Sequence, residues 1–244
     1  MSRGTLYLAP TGLGGAAIAP LLPPLTLSAV HRIEHFVAEN AKSARAFLKA
    51  IAHPRRIQEL RIATLDEHTP DSRIAELLQP LLDGSDCALL SEAGCPAVAD
   101  PGAALVRGAH QHAIRVIPLV GPSALLLALM ASGMNGQRFF FQGYLPVERG
   151  ARERRLAELE AESEKHRATQ VFIEAPYRNE ALFDAVLRTC RPDTLLCLAT
   201  HLTLPDESVR TQPVSLWTGE RPLLDRKPTV FLLYRDAAAQ PQKR

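Results

Sequence analysis

CALLSEAGCPAVADPG, residues 87 to 102, decides the reading of this chain. Cys87-Ala88-Leu89-Leu90 has the length and composition of a buried strand. It stops at a turn of small and polar residues, Ser91-Glu92-Ala93-Gly94-Cys95-Pro96. In open parallel sheets ligands sit outside the carboxyl ends of strands, so a strand emptying into this loop reads as a cofactor cradle. Ala93 and Gly94 let main chain come close to a ligand, Pro96 stiffens the exit, and Glu92 can accept a hydrogen bond from a hydroxyl. An ordinary strand-to-helix connection accounts for the same residues.

Working back from this strand, residues 71–82 read as a helix with Ile74, Leu77, Leu78 and Leu81 inward. Residues 61–65 are a weaker strand, and 40–52 a helix capped by Asn40 with Ala44, Phe47, Leu48 and Ile51 on one face. Residues 35–39 and 5–9 are strands. The first strand ends in Pro10-Thr11-Gly12-Leu13-Gly14-Gly15. Gly12, Gly14 and Ala17 fit a relaxed dinucleotide fingerprint, but that motif needs a continuing helix, and Pro20, Pro23 and Pro24 arrive at once. His31 and His35 stand four apart, a metal spacing only on a helix; Phe36-Val37 favours a strand, and no third ligand is near.

Working forward, residues 99–112 read as a helix and 115–119 as a strand, so strand and helix alternate as in a parallel α/β sheet. Val120-Gly121-Pro122-Ser123-Ala124 is a second small-residue turn, opening the apolar helix at Leu125–Met130, where free amides can receive a ligand. A domain boundary is placed at this turn, giving domains 1–119 and 120–236 and a disordered tail 237–244. In the second half, strands are expected at 138–144, 170–173, 194–200 and 230–234, with an edge strand at 209–214 demoted by Pro213. Helices are expected at 148–166 and 179–190. The arginines Arg149, Arg152, Arg154 and Arg155 can meet phosphates or form a solvated face with the glutamates that follow. Glu174 and Arg178, at a strand end, can pair with each other or face a ligand.

Composition sets the class. The 244 residues are 46% hydrophobic and 22% charged, enough for one large core or two modest ones. The formal charge of +2 falls short of the excess of a dedicated nucleic-acid-binding domain and leaves an RNA substrate open. No apolar run has the length of a membrane span, and Met1-Ser2-Arg3-Gly4 leads straight into strand-like residues, so a cytoplasmic protein is expected. Cys87, Cys95, Cys190 and Cys197 form no C-x-x-C pair; neither a disulfide nor a metal site is expected.

In this order the motifs resemble the tetrapyrrole methylase superfamily. The resemblance rests on LYLAPTG (6–12), FVAEN (36–40), LLSEAGCPAVADPG (89–102), RVIPLVGPSALLLAL (115–129), RFFFQGYLP (138–146), FIEAPYR (172–178) and KPTVFLL (227–233). It is most similar to the branch that methylates a cytidine ribose 2′-hydroxyl of small-subunit ribosomal RNA. The resemblance implies two α/β domains with S-adenosylmethionine in the cleft between them, an RNA or ribosomal-subunit substrate, and a homodimer. It assigns cofactor contacts to Pro10, Glu92, Gly94, Cys95, Pro96, Ser123, Ala124, Ile173, Ala199, Pro228 and Thr229. Glu39, Glu174 and Arg178 become the candidates for handling the acceptor, Glu39 or Glu174 taking its proton.

The chain departs from that branch at several positions. The first turn lacks the usual G-N-L; Asn40-Ala41-Lys42 replace D-T-R; Glu92 replaces an aspartate, Gln142 a glutamate, and Lys227-Pro228-Thr229 a K-G-E segment. These departures motivate two alternatives, a methyltransferase acting on a tetrapyrrole or other small molecule, and a non-catalytic paralogue that binds the cofactor.

Overall fold

The computed structural model describes residues 3–15, 18–66, 68–219 and 221–235, with Asp71 as main chain only. Ala17 of the fingerprint and the tail 237–244 lie outside the described residues. The described residues fall into two compact units that follow one another in sequence at Ser123 and Ala124.

The first unit holds five parallel strands: β1 (Thr5–Ala9), β2 (His35–Ala38), β3 (Arg61–Thr64), β4 (Cys87–Leu90) and β5 (Arg115–Pro118). Their order is β3-β2-β4-β1-β5. Helices α1 (Pro24–Val30), α2 (Ala41–Ala50), α3 (Asp71–Leu82) and α4 (Ala103–Gln111) connect them. The sheet has a core on each side. Ala88 and Leu90 of β4 pack with Phe36, Phe47 and Leu48, whereas Cys87 and Leu89 pack with Leu78, Leu81 and Leu105. Burial on both faces is why β4 reads as a continuous apolar run instead of an alternating one. It also pushes the Cys87 thiol up to about 12, so it stays protonated. All four cysteines are unpaired.

Two boundaries differ from expectation. The prolines after the first turn do not abolish a helix: α1 starts with Pro24 at its first position, where a missing N–H costs nothing. The helix expected from residue 99 begins instead at Ala103, because Ala97 (φ 64°) and Ala99 (φ 58°) are left-handed and Asp100 precedes a proline. The turn after β4 is therefore longer than the sequence suggests.

The second unit begins with α5 (Ala124–Ser132), followed by β6 (Phe139–Tyr144), α6 (Arg149–His166), β7 (Thr169–Ile173), α7 (Asn179–Thr189), β8 (Leu195–Thr200), β9 (Ser208–Pro213) and β10 (Thr229–Tyr234). The strand order is β6-β7-β10-β8-β9. Only β6 and β7 pair in parallel; β10 runs antiparallel to β7 and β8, and β8 antiparallel to β9. This sheet is mixed, unlike the first. Its core is anchored by Phe172 stacked on Phe231 and by Phe183 edge-on to Trp217, all essentially inaccessible. On α6, Arg149 pairs with Glu153, and Arg155 with Glu158 and Glu162. Those arginines close on their own helix's carboxylates, as a solvated face does.

Asn40 caps α2, its side-chain oxygen accepting from the amides of Lys42 at 2.8 Å and Ser43 at 3.4 Å. Asparagine and aspartate are equal in this role, so the departure at Asn40 keeps the cap. Asn40→Ala is expected to lower the unfolding free energy by about 1 kcal/mol, read as a reduced denaturant midpoint with an unchanged slope.

Candidate functional site

At the carboxyl ends of β4, β1 and β5, three turns pack against one another. The Thr11 amide donates to the Gly94 carbonyl at 2.9 Å, and the Gly94 amide to the Gly12 carbonyl at 3.3 Å, tying the turn after β1 to the turn after β4. Buried hydroxyls reinforce this: Thr11 Oγ1 lies 3.3 Å from Ser91 Oγ, which donates to the Gly94 carbonyl. Cys95 Sγ donates to the Pro122 carbonyl at 3.6 Å, which brings in the turn after β5. Gly94 has φ +74°, and a Cβ there would sit 3.1 Å from Leu13 Cδ2 and 3.4 Å from the Pro122 oxygen. Gly121 is closer still, with an added Cβ only 2.5 Å from the Pro10 ring. Main chain meets main chain because the side chains are absent or small.

Beside this cluster, three carboxyl groups gather. The connection leaving β2 leads outward to β3, and the one leaving β4 leads the other way to β5. The carboxyl ends of β2 and β4 therefore flank a point where an open sheet leaves a crevice. Glu39 follows β2, Glu92 lies in the turn after β4, and Asp100 closes that turn. Ser43 Oγ donates to Glu92 Oε1 at 2.8 Å. Asp100 is hydrogen-bonded to Glu39, and its Oδ2 is buried with no partner. Burial first, then the bond to Glu39 and the nearby Glu39 and Glu92 charges, push the Asp100 carboxyl up to about 7. The Asp100 carboxyl thus gains and loses its proton near neutral pH. Among the described residues no group of three or more His, Cys, Asp or Glu is arranged to hold a metal ion.

Pro96 and Ser123 lie in the turns after β4 and β5, and the remaining candidates lie in the second unit. Val230 of β10 is opposite Ile173 on one side and Ala199 on the other, and Thr229 is opposite Thr200. The segment before β10 is fixed by Asn179 Nδ2 and Thr229 Oγ1, both donating to the Lys227 carbonyl, and by the His201 amide donating to Pro228. Ala124 is the first residue of α5. Glu174, directly after β7, is fully buried; its Oε1 accepts from Arg178 Nε at 2.9 Å and Nη2 at 2.6 Å. Glu174 and Arg178 are engaged with each other. The departure at Gln142 is structural, since its Nε2 donates to buried Gln170 and its Oε1 accepts from Arg155.

Two residues that bear on the site escaped the reading from residues: Asp100 and Ser43. Asp100 stood inside the quoted 87–102 stretch, so its place in that loop was the available signal. Its partner Glu39 is distant in sequence. A hollow of about 360 Å³ at the other end of β2 and β3, lined by His35, Arg61 and Glu76 among others, is separate from these turns.

The family profile described as Tetrapyrrole (Corrin/Porphyrin) Methylases matches residues 5–216. The chain is 30% identical over 213 residues to the ribosomal RNA small subunit methyltransferase I of Escherichia coli, covering 87% of this chain and 70% of that protein. It is 35% identical over 206 residues to the protein of the same name from Mesorhizobium japonicum, covering 84% of this chain and 66% of that one. The chain thus spans roughly two thirds of the length of these relatives. The crystal structure of the methyltransferase CobJ superposes with a TM-score of 0.63 at 19% identity, over 95% of this chain and 94% of that one, which speaks for the fold alone. The parallel sheet with its converging turns, the mixed second sheet and a profile match over most of the length agree: the chain belongs to the tetrapyrrole (corrin/porphyrin) methylases.

Proposed function

We propose that this protein is an S-adenosylmethionine-dependent methyltransferase whose acceptor is a ribose 2′-hydroxyl of a small-subunit ribosomal RNA cytidine, acting as a homodimer in the cytoplasm. The observation that carries the reading is the packing of the turns after β1, β4 and β5 into one cluster beside a crevice of the sheet. The RNA acceptor is supported by the names of the relatives at 30% and 35% identity. Among the described residues no helix is long and apolar enough to cross a membrane.

The residues present fit this cofactor. The missing Cβ at Gly94 lets this turn pack against Leu13 and Pro122, while Glu92 and Ala93 beside it stay exposed, so the rim of the cluster presents main chain and a carboxylate to a ligand. The exposed Glu92 carboxylate on its rim suits hydroxyl groups. Bound there, the cofactor supplies a methyl group on a sulfonium. Pro10, Glu92, Gly94, Cys95, Pro96 and Ser123 are the residues of the first unit we assign to holding it, and Ala124, Ile173, Ala199, Pro228 and Thr229 those of the second. The protein's own part is to hold an oxygen nucleophile in line, so orientation carries much of the rate. For the acceptor proton the Glu39–Asp100 pair is better placed than Glu174, whose carboxylate is fully buried and held by Arg178. A carboxyl titrating near 7 is poised for proton exchange at neutral pH.

The test is methyl transfer from labelled S-adenosylmethionine to small ribosomal subunits from a strain lacking this protein. Label is expected in the RNA, in dinucleotides that survive alkali because a 2′-O-methyl group blocks cleavage. Cofactor binding by calorimetry with no label in any cellular fraction would point to a non-catalytic binder. Label in a tetrapyrrole instead of RNA would move the acceptor to that class.

A further inference from the structure

Near the Glu174–Arg178 pair, two tyrosines stand out from the surface. Tyr144, the last residue of β6, is 58% exposed, and Tyr177, in the short turn after β7, is 71% exposed. Tyr144 is opposite Ile173 in the β6–β7 pairing, one residue before Glu174. The Arg178 guanidinium lies 5.4 Å from the centre of the Tyr177 ring, and both tyrosines are among its electrostatic neighbours. Single exposed tyrosines are ordinary. Two beside a guanidinium that is locked in place are not.

The lock is Glu174. One of its oxygens takes both Arg178 hydrogen bonds and a third from the Ala175 amide at 2.8 Å, while the other is buried without a partner. A carboxylate buried at that cost holds the guanidinium over the Tyr177 ring before anything binds. It also neutralises it. What remains facing solvent is a set of flat π surfaces with little net charge, which suits a nucleobase better than a phosphate.

We propose that Tyr144, Tyr177 and Arg178 form a stacking platform for unpaired bases of a single-stranded RNA. The inference rests on the RNA reading above and names the surface of this chain that grips the strand. Because stacking releases no counterions, the platform's contribution is independent of salt, unlike a phosphate contact. It is also tolerant of base identity, since every base has a π face.

Fluorescence anisotropy of a labelled, unstructured oligocytidylate with the full chain, across a salt series, tests this. Tyr177→Ala and Tyr144→Ala are each expected to weaken binding roughly tenfold, with the slope against salt unchanged. Tyr177→Phe should bind as the wild type does. Circular dichroism melts of each variant show whether it is folded. Unchanged affinity in both alanine variants overturns the platform, as does an equal loss in the phenylalanine variant, which would place the effect on the hydroxyl. A wild-type protein that does not bind the oligonucleotide overturns it too. The two readings fail separately: ring-dependent RNA binding without methyl transfer keeps the platform and removes the proposed reaction, whereas methyl transfer to RNA with KM unmoved by Tyr177→Ala does the opposite.

Discussion

Replacing Gly121 with alanine is expected to raise the dissociation constant for S-adenosylmethionine on the order of 10- to 100-fold, the equivalent of the roughly 1–3 kcal/mol that overpacking the turn costs. The new methyl group would lie 2.5 Å from Pro10 Cβ, 2.9 Å from Pro10 Cγ and 3.2 Å from Leu22 Cδ2. Neither partner at the closest contact can swing away, because both belong to a rigid ring attached to the end of β1. The turn after β5 must therefore retreat from the turn after β1, and overpacking of this kind costs about 1–3 kcal/mol of stability. Gly136→Ala is the control: nothing lies within 4 Å of its added carbon, and cofactor affinity should not change. Calorimetric titration of the two variants checks the result. Wild-type affinity in Gly121→Ala would mean that the close approach of these turns does not shape the cofactor site.

The second large effect concerns Asp100 and depends on pH. Its carboxyl is pushed up to about 7 in the folded protein, chiefly by burial and then by Glu39, whereas in the unfolded chain it titrates near the ordinary value of 3.8. Between those two values the folded state keeps a proton that the unfolded state has released. Stability from this group therefore falls as pH rises from about 4 to about 7 and levels off above. The full displacement corresponds to about 4 kcal/mol. Asp100 is only half-buried, and solvent screening reduces this to about 1–2 kcal/mol. Asp100→Asn removes the ionisation while its amide can still donate to Glu39. The variant should be more stable than the wild type by that amount at pH 8 and equal to it near pH 4. Urea unfolding at both pH values decides; an advantage of the same size at both would assign the effect to packing.

The centre of the first unit was legible because β4, and most of β2 beside it, are buried on both faces. Such strands appear as short unbroken apolar runs, and Cys87–Leu90 needed no periodicity to be found. Helix α1 was not legible, since Pro20, Pro23 and Pro24 read as breakers until one of them is known to occupy the first helical position. The second sheet shows a different limit. Strands were expected at each place where β6 to β10 lie, but nothing local in Thr229–Tyr234 records that it runs antiparallel to both neighbours. Pro213 sits where an edge strand ends, opposite Leu195, which is why it is tolerated there. In the candidate site, the glycine turns announced themselves by composition. Asp100 did not, because its raised carboxyl depends on a contact with Glu39, sixty-one positions earlier in the chain.

The order β3-β2-β4-β1-β5 carries a consequence for the newly made chain. β1 lies between β4 and β5, so Leu6 waits for Cys87 on one side and Val116 on the other. On the ribosome, Thr5–Ala9 emerges before the other strands of its sheet and finds no native neighbour until most of the unit has been translated. Both its edges stay open during that interval. Nascent-chain protection is thus needed at Thr5–Ala9, a strand that ends up flanked on both sides.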